Sequence, residues 1–150
     1  MNVQQAESFR TKRAGELFWA SAKHVPSDKA DWKPGEGTTS ARDIVRHLTG
    51  ANRFFNALIQ DQTPPTPSDA DSEPFEQLLE RFQQSYEELA STIASVPDEQ
   101  LQAERQMPWG QTWKVRALLM GSSFHLAYHW GQIGYLQKAW GDSTDYHLQL

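Results

Sequence analysis

Apolar residues recur at three- and four-residue steps in four stretches of the chain, a spacing that predicts four helices. The first covers about residues 3–24, with Phe9, Leu17 and Phe18 on one side and Lys12, Arg13 and Glu16 elsewhere. Pro26 ends it, and the segment VPSDKADWKPGEGTTS is too rich in Pro, Gly and Ser to continue it. The second helix opens at Ser40, which with Asp43 has the spacing of a capping box, Asp replacing the usual Glu. Ile44, His47, Leu48, Ala51, Phe55 and Leu58 form its stripe, until the prolines of DQTPPTPSDADSEP interrupt it. The third helix, about 74–96, carries the stripe Phe75, Leu78, Leu79, Phe82, Tyr86, Leu89, Ile93 and Val96. Residues 97–111 read as a connector closing on a tight MPWG turn, and no stretch alternates as a strand would. The fourth helix, from Thr112 to about 140, is apolar over much of its circumference through Val115, Leu118, Leu119, Phe124, Leu126, Ile133 and Leu136. That predicts a central helix packed on several neighbours, with Gly141 as its stop.

Four such helices predict an all-α four-helix bundle, with residues 1–150 as one domain. Its connectors, of about 15, 12 and 15 residues, exceed the 2–8 usual between bundle helices. They permit a crossover, and they can form a rim at one end of the bundle. With 38% hydrophobic residues the chain can build a core without a disulfide or structural metal. It has no cysteine, which excludes a thiolate–zinc site and a cysteine nucleophile. A net charge of −5 argues against a nucleic-acid partner. No apolar run approaches the ~20 residues of a membrane span, and MNVQQAESFRTKRAGELF lacks the apolar centre of a secretory signal. A soluble cytoplasmic protein with no membrane partner is expected.

Three of the five histidines are placed where a metal could use them. His125 and His129 are one helical turn apart and project from one face. His47 lies on the inward stripe of the second helix, so if the second and fourth helices are neighbours the three rings converge. Three neutral imidazoles hold a divalent ion and leave coordination positions open, the catalytic arrangement. The same spacing also suits ordinary core histidines with a single hydrogen bond, and spacing alone leaves both readings standing. His24, at the end of the first helix, and His147, in the C-terminal tail, are not expected to be ligands.

The run DWKPGEGTTSARDIVRHLTGANRFF resembles the opening of the DinB-like (DinB/YfiT-like) family, in which a Trp-x-Pro-Gly turn and a Ser cap lead into a histidine-bearing helix. FHLAYHWGQIGYLQKAWG is similar to the last helix of that family, with its His-x-x-x-His-x-Gly-Gln pattern. The resemblance implies a bundle that binds a divalent metal, zinc or nickel, through His47, His125 and His129. Many relatives carry a polar residue after the first histidine of the last helix and Arg after the second. Here those positions are Leu126 and Trp130, which affects the partners that tune the site more than metal binding itself.

The resemblance further implies a thiol-dependent S-transferase acting on small electrophiles, with a low-molecular-weight thiol as cosubstrate. A chain without cysteine must take its sulfur from such a cosubstrate. A metal-dependent hydrolase is the alternative, and a non-catalytic binding module with a vestigial metal site is another. Hydrolysis calls for a carboxylate base, and Asp43 is better placed to cap its helix, while Glu80, Glu87 and Glu88 fit a solvated face. No catalytic residue beyond the ligands is identified. Gln132 shares the face of His125 and His129 and is the candidate to hydrogen-bond a bound ligand or substrate. Trp32 and Trp109 are read as plugs at the bundle end, or as the lining of a substrate entrance, and Phe54, Phe55, Phe82, Phe124 and Tyr128 as core or interface. The apolar surface of the fourth helix leaves room for a homodimer.

Overall fold

Ser40 and Asp43 satisfy each other's backbone, and the helix that carries His47 starts there. Ser40 Oγ accepts from the Asp43 N–H at 3.1 Å, and Asp43 Oδ2 accepts from the Ser40 N–H at 3.0 Å. The computed structural model describes residues 1–66 and 73–149, the side chains of residues 147 and 149 apart. Part of the second connector and the expectation for His147 therefore lie outside the described residues. The four predicted helices are α1 (Val3–Ala22), α2 (Ala41–Ile59), α3 (Phe75–Ser95) and α4 (Val115–Ala139). Asn2 and Gln5 close an equivalent capping box on α1.

Helix α1 packs against α3 and α4, and α2 packs against the same two. Consecutive helices α1 and α2 are thus diagonal across the bundle, as are α3 and α4. The first and third connectors cross an end of the bundle to join diagonal helices, the crossover that their length permits. The core has two parts, one around Phe18, Leu48, Phe82, Leu126 and Ile133, the other around Ile59, Leu89, Ile93, Met107 and Leu118. Trp32 packs on the first part and meets Trp140 edge-on at 5.8 Å, as a plug should. Among the described residues no helix is long and apolar enough to cross a membrane.

Three expectations are corrected. Residues Glu104–Gln106 (β1) and Thr112–Lys114 (β2) pair antiparallel, Arg105 opposite Trp113, so a hairpin precedes α4, which begins at Val115 and not at Thr112. Three-residue strands are too short to show alternation. Their turn passes through Gly110 at φ 89°, a conformation that costs glycine little. Arg105 ties the hairpin to the end of α2 by donating to the Leu58 carbonyl at 2.8 Å.

The second correction concerns α1. Phe9 does not share a buried side with Phe18: it is 65% exposed, while Gln4, Glu7, Thr11, Ala14 and Gly15 face inward with Phe18. The small residues let α3 come close, and the Tyr86 ring lies directly over Gly15. Thirdly, α4 is a corner helix, not a central one. Its inner face buries Leu118, Leu119, Leu126, Ile133 and Leu136, but Phe124 (69%), Tyr128 (65%), Tyr135 and Met120 are exposed on its outer side.

Candidate metal centre

Helices α2 and α4 lie side by side, and each delivers imidazoles to the seam between them. His47 comes from the second turn of α2, and the one-turn spacing of His125 and His129 sends both rings the same way. His47 Nε2 lies 3.0 Å from His125 Nε2, and His129 Nε2 lies 3.1 Å from it. The ligand atoms of all three fall within 4.8 Å of one another. The 3.0 and 3.1 Å pairs suit a shared ion held by bonds of ~2.0–2.1 Å.

The electrostatics favour the neutral, ligating form of each ring. Burial lowers the pKa of His47. His125 is pulled down to about 4, by burial first and then by His129 and His47. His129 is also lowered by burial, with its bond to Gln132 acting upward and His47 downward. Gln132 Oε1 sits 2.6 Å from His129 Nδ1, and because an amide oxygen only accepts, the proton is on Nδ1 and the lone pair on Nε2. A neutral His125 has one proton for two facing nitrogens, and its buried Nδ1 has no partner among the described residues. A cation at the point of convergence answers the crowding of lone pairs, so the residues fit a divalent metal.

A cavity of about 690 Å3 opens beside the trio, with His47 and His125 in its wall. Phe54, Phe55 and Trp109 supply much of its apolar lining, so Trp109 stands at this opening, stacked on Phe54 at 6.2 Å. Trp32 is not among the lining residues. Of the carboxylates among the cavity's described residues, Asp43 caps α2 and pairs with Lys33 at 3.0 Å, and Glu73 pairs with Arg81 at 2.7 Å. Burial pushes the Asp43 pKa upward, but the Ser40 N–H and Lys33 outweigh it and hold the carboxyl below its ordinary value. Glu80, Glu87 and Glu88 are exposed on α3.

The remaining sequence candidates find structural places. Leu126 is buried in the core, and Trp130 packs on it with its indole N–H donating to Ser21 Oγ at 3.2 Å. Both positions are one residue past a histidine, about 100° round the helix, and so point away from the trio. His24 Nδ1 lies 2.8 Å from the Ala20 carbonyl and its ring stacks on Tyr146 at 3.9 Å. Sequence reasoning missed Gly50, Arg53, Glu73 and Arg81 as cavity residues. Arg53 carried a usable signal, lying seven residues after Arg46 and hence on the face of α2 that bears His47.

Comparison with known proteins agrees with this architecture. The DinB superfamily matches residues 10–133. A DinB-like protein from Bacillus subtilis superposes with a TM-score of 0.71 at 21% identity, over 89% of this chain and 90% of that one. A mutant of the mycothiol-dependent maleylpyruvate isomerase superposes with a TM-score of 0.70 at 13% identity, over 89% of this chain and 61% of that one. No curated protein matches the sequence significantly.

Proposed function

The chain belongs to the DinB superfamily, and on that footing we propose that it is a metal-dependent enzyme, a thiol S-transferase acting on small electrophiles. The observation that carries this reading is the convergence of three neutral imidazoles, Nε2 atoms 3.0 and 3.1 Å apart, at the wall of a largely apolar cavity. His47, His125 and His129 would hold one zinc or nickel ion. Such an ion supplies Lewis acidity that draws a thiol toward its thiolate at neutral pH. Gln132 fixes the His129 ring, and its amide donates one N–H to the Tyr128 hydroxyl at 3.4 Å, which leaves the other for a ligand. Phe54, Phe55 and Trp109 give an apolar wall to the place where an electrophile would lie.

Two observations favour sulfur transfer over hydrolysis. Asp43 and Glu73, the carboxylates among the cavity's described residues, are both engaged in ion pairs, which leaves neither free to activate water. The same fold occurs in an isomerase that depends on mycothiol, which makes a small thiol the first cosubstrate to test. Cytoplasmic placement, where small thiols are kept reduced, suits this chemistry. We also place the homodimer on the outer face of α4, where Phe124, Tyr128 and Tyr135 are exposed.

The test is elemental analysis of protein purified without a histidine tag or chelator, followed by a conjugation assay. The expected result is one zinc or nickel per chain, lost in His129→Ala, and a rate with bacillithiol, mycothiol or glutathione and 1-chloro-2,4-dinitrobenzene that follows metal occupancy. Ester hydrolysis without any thiol would identify a hydrolase instead. Bound metal with neither activity would identify a binding module. No metal after reconstitution would remove the proposal altogether.

A further inference from the structure

The cavity beside the histidines holds a charge pattern that metal ligation does not use. Along α2, Arg46 and His47, then Gly50, then Arg53 and Phe54 follow one another at single helical turns, and all five line the cavity. Arg53 is six residues past His47, about 9 Å along the helix axis. Between them a β-carbon on Gly50 would meet nothing within 4 Å among the described residues, so the floor they form is bare backbone. Glycine inside a helix lowers its stability, and here no packed neighbour among the described residues calls for one. The aromatic pair Phe54 and Trp109, inclined at 29°, stands beside that floor.

The arginines of this cavity differ in their partners. Arg81 pairs with Glu73 at 2.7 Å, and Arg46 lies 3.8 Å from Asp43. Arg53 is exposed at the cavity and makes no ion pair with any described residue. In a chain of net charge −5, the described residues of this lining set three arginines against two carboxylates. A guanidinium in that position offers the planar fork that matches a carboxylate by two parallel hydrogen bonds.

We propose that the cavity binds a flat apolar molecule bearing a carboxylate, laid along α2 over Gly50. Its carboxylate meets Arg53, its body lies against Phe54 and Trp109, and its far end reaches the histidines. This names a substrate class for the enzyme proposed above and rests on that reading only for the far end. The volume of about 690 Å3 falls within the range of small-molecule sites.

The experiment is calorimetric titration of 2-naphthoate and its neutral analogue 2-naphthamide into zinc-loaded and chelator-treated protein. Naphthoate should bind about tenfold more tightly than naphthamide in both preparations, as a charge-assisted pair predicts. Arg53→Gln should abolish that preference while zinc stoichiometry stays unchanged. Gly50→Leu, with Gly50→Ala as the milder form, should weaken both ligands by filling the floor. Equal affinities for the two ligands, no binding of either, or a preference that survives Arg53→Gln would overturn the proposal. So would unchanged affinities in Gly50→Leu, or a preference confined to zinc-loaded protein, which would assign the carboxylate to the metal. An Arg53-dependent preference in protein that binds no zinc supports this proposal and defeats the metalloenzyme reading alone.

Discussion

Gln132 Oε1 accepts the Nδ1 proton of His129 at 2.6 Å, from one turn further along α4. The bond selects the tautomer, orients the ring and makes Nε2 the more basic nitrogen, as an outer partner of a metal ligand does. Gln132→Ala should therefore lower metal affinity by about 10- to 100-fold without unfolding the bundle. Gln132→Glu, which keeps an acceptor, should retain it. Competition with a chromophoric chelator reads both, and unaltered affinity in the alanine variant would show that the bond is incidental.

Acid should destabilise the metal-free protein before the carboxylates titrate. Burial, with His129 and His47, lowers the His125 pKa to about 4 from an ordinary 6.5. Between those values the unfolded chain protonates His125 and the folded chain does not, so stability falls as pH drops through this window. Urea unfolding with chelator present should show lower stability at pH 5 than at pH 7, and His125→Gln should reduce the difference.

Gly15 has no room for a side chain, because its β-carbon would overlap the Tyr86 ring. Gly15→Ala should cost about 1–3 kcal/mol through displacement of α3 from α1. Thermal denaturation measures it, and a change within experimental error would show that the ring moves aside freely.

Ser40→Ala should cost about 1 kcal/mol, since the buried hydroxyl satisfies the Asp43 N–H at the start of α2. Ser40→Asp should recover most of it. Chemical denaturation of the three proteins compares them directly.

If the outer face of α4 joins two copies, Phe124→Glu should convert a dimer to a monomer with the helical circular dichroism unchanged. Phe124 is 69% exposed in the single chain, so its replacement removes no internal contact of consequence. Sedimentation velocity distinguishes the two states, and a monomeric parent protein would dismiss the interface.

Much of this architecture was legible in the chain. The stripe from Phe75 to Ile93 is the buried face of α3, and Ser40 with Asp43 forms the anticipated cap. Gly141 ends α4 with φ 101°. The one-turn spacing of His125 and His129 put both rings on one face, the stripe of α2 offered His47 as a third, and the family resemblance favoured a metal over ordinary core histidines. Legibility failed where an outcome depended on neighbours. Phe9 read as sharing a side with Phe18, yet it is exposed, and for Phe124, also exposed, residue type left core and interface both open. Arg53 and Glu73 were ordinary surface charges until the fold drew a cavity around them.

Helical periodicity, caps, proline stops and the shared face of a histidine pair are local properties, set by backbone geometry within a few residues, and the amino-acid order determines them alone. Which helices touch is a different matter. The pairing of α2 with α4, the hairpin before Val115 and the outward turn of Phe124 were decided only by tertiary packing. Leu126 and Phe124 are both apolar and gain by leaving water, and the protein buries the one whose side of the helix has a partner to exclude it.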